Sequence, residues 1–180
     1  MTQALPHLHV LILGALLSVL AACAAKPTDI AACSQRDWYE LGRNDGAQGL
    51  TGDKLNQMRK SCGKSFQNEW ETIYLNGRNA GLVEYCDPKN GYELGRMGVP
   101  YMYVCPSTVE PQFLTGYRRG QSARDLEVQN KKLDQLIDQL SQKLVASGDK
   151  YEQRQIASEL DQAKKTRNKN ERELSKIIAK

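Results

Sequence analysis

The sequence predicts an all-α protein in which short, disulfide-tied helices packed through glycine and aromatic residues are followed by a long antiparallel helical hairpin. Three observations predict it. Four cysteines spread over residues 33–105 are even in number; a glycine–aromatic phrase recurs at helical spacing between residues 37 and 120; and from Gln121 onward the chain has no Pro or Cys while its apolar residues advance in steps of three and four. No segment sustains period-two alternation, and Tyr101–Val104 alone reads as a brief extended piece.

The chain starts with an apolar run from Leu8 to Ala22, too short to span a bilayer comfortably, that ends in Leu20-Ala21-Ala22-Cys23. This is the pattern of a bacterial lipoprotein signal: residues 1–22 are expected to be removed and Cys23 to carry acyl chains. Several acyl chains on one residue exceed what stable anchoring requires, so the expected partner of the N-terminus is a membrane, held through lipid on Cys23. Ala24 follows the cysteine, which fits sorting to the outer membrane, facing the periplasm. Residues 23–32 read as a lipidated tether, residues 33–120 as a disulfide-linked helical domain, and residues 121–180 as a coiled-coil-like hairpin.

Composition excludes several chemistries. Of 180 residues only two are His, and both lie within the first nine positions, inside the segment expected to be removed. Ser-His-Asp, Cys-His and His-metal sites then each lack a member. Neither a cofactor nor a bound metal is expected. The net charge of +4 divides into +1 on residues 33–120 and +3 on residues 121–180.

Cys33, Cys62, Cys86 and Cys105 belong to a chain addressed to an oxidising compartment, so two disulfides are expected. A zinc site is the competing use of four thiols, but no C-x-x-C pair occurs. Of three connectivities, Cys33 with Cys62 and Cys86 with Cys105 is favoured because each pair brackets one compact unit. Each closed loop would contribute roughly 3 kcal/mol by restricting the unfolded chain.

Ser34 is expected to cap a first helix that ends near Gly49 or Gly52, and Asp53 to cap a second running toward Cys62. Asn68 with Glu71 resembles a capping box for a third, which ends at Cys86-Asp87-Pro88; a fourth starts near Pro88 and stops at Gly98-Val99-Pro100. The repeated phrase falls inside these helices. Its copies are Tyr39, Gly42, Arg43, Asp45 and Gly46; Tyr74, Gly77, Arg78 and Gly81; Tyr92, Gly95, Arg96 and Gly98; and, more faintly, Phe113, Gly116 and Gly120. In the first two copies the aromatic and both glycines stand at i, i+3 and i+7, on one helical face. A glycine inside an exposed helix costs about 1 kcal/mol relative to alanine, so the repeated pairs call for close approach of another helix, with the aromatics packed alongside. The alternative use of the same face is anion binding, with Arg43, Arg78 and Arg96 as the clamp.

These linked phrases resemble a family. Cys23 in its lipobox, D-W-Y-x-x-G-x-x-D-G, Y-x-x-G-R-x-x-G-L-x-x-Y-C, N-G-Y-x-x-G-R-x-G and Y-x-x-V-C-P together resemble the bacterial lipoproteins of domain of unknown function family 2799, YfiL-like, over about residues 33–120. The resemblance implies an envelope lipoprotein of unassigned activity and brings no catalytic residues.

The hairpin is read from Leu126, Leu133, Ile137, Leu140 and Leu144 on one arm, starting at Pro111, and Ile156, Leu160, Ala163, Leu174 and Ile177 on the other. A turn at Ser147-Gly148-Asp149 would set Leu140 against Ile156, Ile137 against Leu160, Leu133 against Ala163, Leu126 against Asn170, and Asn130 against Arg167. An intermolecular coiled coil is the competing arrangement. The basic block Lys164, Lys165, Arg167, Lys169 and Arg172 is the place where anionic lipid, or another envelope protein, would be met. No nucleic-acid partner is expected, since no aromatic residue is interleaved with these cations.

The functional expectation is a non-enzymatic cell-envelope lipoprotein, a tethered structural or binding module. The enzymatic alternative is a glycan hydrolase, which would need an acid–base pair among Asp45, Glu84, Asp87 and Glu93, with Tyr39 or Tyr85 nearby.

Overall fold

The computed structural model describes residues 33–179. The lipobox, Cys23 and the tether lie outside the described residues. Among the described residues, six helices follow Ser34: α1 (Trp38–Ala47), α2 (Asp53–Cys62), α3 (Asn68–Tyr85), α4 (Pro88–Met97), α5 (Glu110–Ala146) and α6 (Lys150–Ile178), with a 3-10 turn at Gly63–Ser65. No strand occurs among the described residues.

Local chemistry sets the helix ends, at some positions differently from expectation. Asp37, not Ser34, caps α1: its carboxylate accepts from the Glu40 amide at 2.9 Å. Asp37 is three residues before Glu40 and sits where the first orphan amides point. Asp53 is the first residue of α2 rather than its cap; Gly52 holds the cap position without a side-chain bond, and Thr51 Oγ1 donates to Asp53 Oδ2. The Asn68–Glu71 box does not form. Gln67 precedes α3, and Glu71 instead pairs with Arg59 on α2, while Glu69 and Glu71 still place negative charge on the first turn. Asp87 caps α4 through the Lys89 amide at 2.7 Å, with Pro88 pre-set at the first position. That helix closes on Gly98, whose φ of +75° lets the Val99 amide reach back to the Leu94 carbonyl at 3.0 Å. The segment Tyr101–Val104 is a bent loop, not an extended piece, because Tyr103 takes a left-handed φ of +54°.

The glycine pairs bring helices together two by two, and each pair is parallel. A Cβ built on Gly42 would strike the Tyr74 carbonyl, and one on Gly46 the Arg78 carbonyl; in return, Gly77 faces the carbonyl of Tyr39 and Gly81 that of Arg43. Residue numbers rise together on both helices, so α1 and α3 run the same way. The second pair repeats the pattern: Gly91 meets the Phe113 carbonyl, Gly95 that of Tyr117, Gly116 that of Pro88 and Gly120 that of Tyr92. Thus α4 and α5 cross as α1 and α3 do, backbone against backbone, where Cα–H groups can face carbonyl oxygens. In the α4 copy the stripe is Gly91 with Gly95, a correction to the expected Gly95 with Gly98; Gly98 serves the helix end instead.

Parallel neighbours require a return connection, supplied by α2 and the 3-10 turn in one unit and by residues 98–109 in the other. Each disulfide closes that connection. Cys33–Cys62 and Cys86–Cys105 are bonded as expected, and each joins the approach to the first helix of a pair to the approach to the second. The thiols are therefore consumed by these bonds, which removes the zinc reading.

One core cluster forms at each bridge. In the first, Cys33, Trp38, Leu55, Cys62 and Tyr74 are buried, Trp38 stacks on Trp70 with ring centres 5.4 Å apart, and Phe66 meets both indoles edge-on. In the second, Leu82, Tyr85, Cys86, Cys105 and Phe113 are buried, and the Tyr85 ring stacks on Phe113 at 5.6 Å. Leu82 and Tyr85 belong to α3, so the end of the first unit completes the core of the second. Gly49, at φ +66°, lies directly against the Tyr85 ring.

Beyond Gly120, α5 continues as the first arm of the hairpin, and α6 returns antiparallel to it. Asp149 caps α6, accepting from the Tyr151 and Glu152 amides at 2.7 and 2.8 Å. Leu140, Ile156 and Ala163 are buried in the seam, together with Asn130 and Asn170. Two polar contacts reach about one turn further along the first arm than the expected levels: Arg167 Nε donates to Asp134 Oδ1 at 2.7 Å, leaving Asn130 Oδ1 without a partner, and Asn170 Nδ2 donates to Gln129 Oε1 at 3.3 Å. Long side chains reach past their own level, and Arg167 finds a carboxylate where Asn130 offers only an amide.

Candidate functional site

The residues singled out in sequence fall into two helix crossings instead of converging on one centre. Gly42, Gly46, Gly77 and Gly81 form the α1–α3 contact, and Gly95 belongs to the α4–α5 contact. Every one of these glycine backbones is covered by a helix, so none is open to a ligand on that face. Tyr74 and Phe113 are fully buried beside them, and Tyr92 is 8% exposed. Tyr39 is a correction: it is 44% exposed, and its neighbour Trp38, at 3%, fills the core instead. The helix is rotated so that the indole, with its larger apolar area and its Nε1–H bonded to the Cys33 carbonyl at 3.1 Å, takes the inward position.

The three arginines of the phrase have separate partners. Arg43 forms a two-pronged pair with Glu40, at 3.0 and 2.8 Å, with Glu84 at 3.8 Å; that hydrogen bond, chiefly, raises its pKa above the ordinary value. Arg78 donates to the Leu50 carbonyl at 2.8 Å, and Arg96 pairs with Glu127 at 2.7 Å across the second unit. They do not make a single anion clamp.

The carboxylates are likewise distributed. Asp45, 4% exposed, accepts from the Tyr74 hydroxyl at 2.7 Å and from Lys54 Nζ at 2.9 Å. Burial, and then this hydrogen bond, pushes the Tyr74 phenol well above its usual range. Two partners on a buried carboxylate make a satisfied internal network, and it borders a cavity of about 340 Å³ between α1 and α2 lined also by Leu41, Gln57 and Met58. Glu84 stands beside Arg43, Asp87 is engaged as the α4 cap, and Glu93 is exposed on α4 at the edge of the groove between α4 and α5. Tyr85 is buried against Phe113, and its phenol is raised first by burial and then by Tyr117.

One constellation has only part of its signal in the repeated phrase. A groove of about 730 Å³ runs along α4 and α5, lined by Lys89, Tyr92, Glu93, Arg96 and Arg119, and the tip of α6 reaches it through Ile178. The Arg119 guanidinium lies 4.8 Å from the centre of the Tyr92 ring. Arg118-Arg119 inside the fourth copy of the phrase was the available sequence signal. It is masked there because nothing in sequence says which of two adjacent cations faces α4.

No curated protein and no solved structure matches this chain. A family model does match, from Asp37 to Ser122, which is the stretch from the α1 cap to just past the last glycine contact on α5; the hairpin beyond it is outside the match. Residues 37–122, the two glycine-paired helical units, match the family described as protein of unknown function (DUF2799).

Proposed function

We propose that the chain is a non-enzymatic, lipid-tethered module of the bacterial cell envelope that presents its helical hairpin to another envelope component. The observation that carries this reading is the division of labour along the chain. The phrase that looked like a site is absorbed in helix packing, while α5 continues for 26 residues past Gly120. At 1.5 Å per residue this arm extends about 39 Å beyond the paired units. Near its turn Val145 and Tyr151 are 88% and 70% exposed, apolar surface of the kind that interfaces use. The lipobox ending in Cys23 and the two disulfides support an envelope address, at the outer membrane on the periplasmic side.

Labelling cells with an alkyne palmitate analogue tests the tether. Label and membrane association should both disappear in Cys23→Ser. A variant still labelled and still sedimenting with membranes would refute the lipid anchor. For the hairpin, photo-crosslinkers at Val145 and Tyr151 should yield one discrete adduct in intact cells, and crosslinkers at Lys64 should not; equal adducts from all three positions would argue against a presented tip.

A further inference from the structure

We propose that the α4–α5 groove is a binding site for an organic phosphate. Two parallel helices, α4 and α5, begin at the same end of the groove, where the Asp87 cap and Glu110 already answer their positive ends, so the pull on an anion comes from the side-chain cations further along. Lys89, Arg96 and Arg119 stand along its walls against one carboxylate of its own, Glu93. Arg96 is occupied by Glu127, but among the described residues neither Lys89 nor Arg119 has a carboxylate within ion-pair distance. Such a cation excess suits a phosphate, mono- or diester, better than a single carboxylate, since its additional acceptor oxygens allow more charge-assisted bonds to the same group.

A second observation points the same way. Tyr92, more than nine-tenths buried, lines the groove, and its hydroxyl has no hydrogen-bond partner; the Nε of Arg119, which lies over that ring, has none either. Both atoms are buried just behind the groove surface without a partner, and an anion that draws the Arg119 side chain toward itself would open the Tyr92 hydroxyl and the Arg119 Nε to an acceptor. Glycines at 91, 95, 116 and 120 already hold the two helices together, so the groove is formed without the ligand. Its volume fits an ester with an organic body, which the Tyr92 ring and Ile178 would contact. The site does not depend on the tether or on the hairpin partner.

Titration of the full chain in neutral detergent with glycerol 1-phosphate, and of the chain with vesicles of phosphatidylglycerol against phosphatidylcholine, separates a soluble ester from a lipid headgroup. Binding of either probe should fall at least tenfold in Arg119→Gln and several-fold in Lys89→Gln, and should strengthen about threefold in Glu93→Gln. Tyr92→Phe is the discriminating variant: it deletes an unpaired buried hydroxyl, so the free protein should melt no lower than the parent, while binding weakens. Preference for glycerol 1-phosphate supports the soluble source, and Arg119-dependent binding confined to phosphatidylglycerol vesicles supports the lipid source. No binding of either probe, binding unchanged in Arg119→Gln, or binding lost equally when Lys164 and Lys165 are neutralised would overturn the proposal.

Discussion

Replacing Gly42 by alanine tests whether helix-on-helix contact is why the glycines are there. The added methyl would stand 2.9 Å from the Arg78 amide nitrogen and closer still to the Tyr74 carbonyl oxygen, both of them backbone atoms that no rotamer change can move. Carbon–oxygen contacts settle near about 3.3–3.6 Å, so α1 and α3 must part by on the order of 1 Å along their whole contact. Overpacking of this kind costs about 3 kcal/mol, and the helix propensity of alanine returns about 1 kcal/mol, leaving a net loss of about 2 kcal/mol. For a chain of this size that lowers the midpoint of thermal unfolding by roughly 6 °C, read by circular dichroism with the disulfides intact. Gly52→Ala is the matched control, because nothing lies within 4 Å of its Cβ position and its φ is −66°; it should leave the midpoint unchanged or slightly raised. Gly91→Ala should fall between the two, since its nearest neighbour, the Phe113 carbonyl, is 2.6 Å away. A Gly42→Ala protein that melts within 1 °C of the Gly52→Ala control would refute the close-packing account.

Three other outcomes follow from the same structure. Tyr74→Phe removes one of two partners from buried Asp45 and should cost about 1–3 kcal/mol, measured by urea unfolding, whereas Tyr39→Phe, at an exposed position, should change little. Tyr101 is pushed up to about 12, by burial and then by its hydrogen bond to Glu110, so the folded state retains its proton where the unfolded chain releases it. Its contribution is full below about pH 10 and is lost as pH rises from there toward 12, so unfolding followed by circular dichroism should set in over that range, and Tyr101→Phe should weaken this alkaline loss of stability. Asn130 Oδ1 is buried without a partner in the hairpin seam; Asn130→Leu should raise the unfolding midpoint and, in size-exclusion with light scattering, increase the average mass relative to the parent.

The parts of the fold that are legible in sequence are those governed by spacing. Tyr74, Gly77 and Gly81 share a face because of helical periodicity, and the four cysteines pair within the units they bracket. Direction is not legible: a glycine stripe reads the same whether its partner runs parallel or antiparallel, and only the return connection settles which. Position 88 hides the fourth full copy of the repeat, since Pro88 stands there in place of an aromatic residue and Gly91 pairs with Gly95 behind it. Trp38 and Tyr39 are adjacent and both aromatic, so a rotation of about 100° decides which is core, and the indole hydrogen bond to Cys33 that favours Trp38 exists only in three dimensions. Asn130 and Arg167 look complementary by level, but the reach of arginine carries it to Asp134. The α4–α5 groove needs residues from three helices, and no local pattern announces it.

Pairing helices in the same direction leaves each unit with a piece of chain that must travel back between the two. In one unit that piece contains a helix and a 3-10 turn; in the other it is a shorter irregular loop, and both deliver the chain to an equivalent crossing. The crossings are intolerant of added atoms, yet the returns differ in length and in structure within a single molecule. Epitopes, fluorophores or extra domains can therefore be grafted at Gly63–Ser65, where the space around Gly63 is open, with the Cys33–Cys62 bond holding the leading end of the graft and Phe66, packed on Trp38 and Trp70, its trailing end.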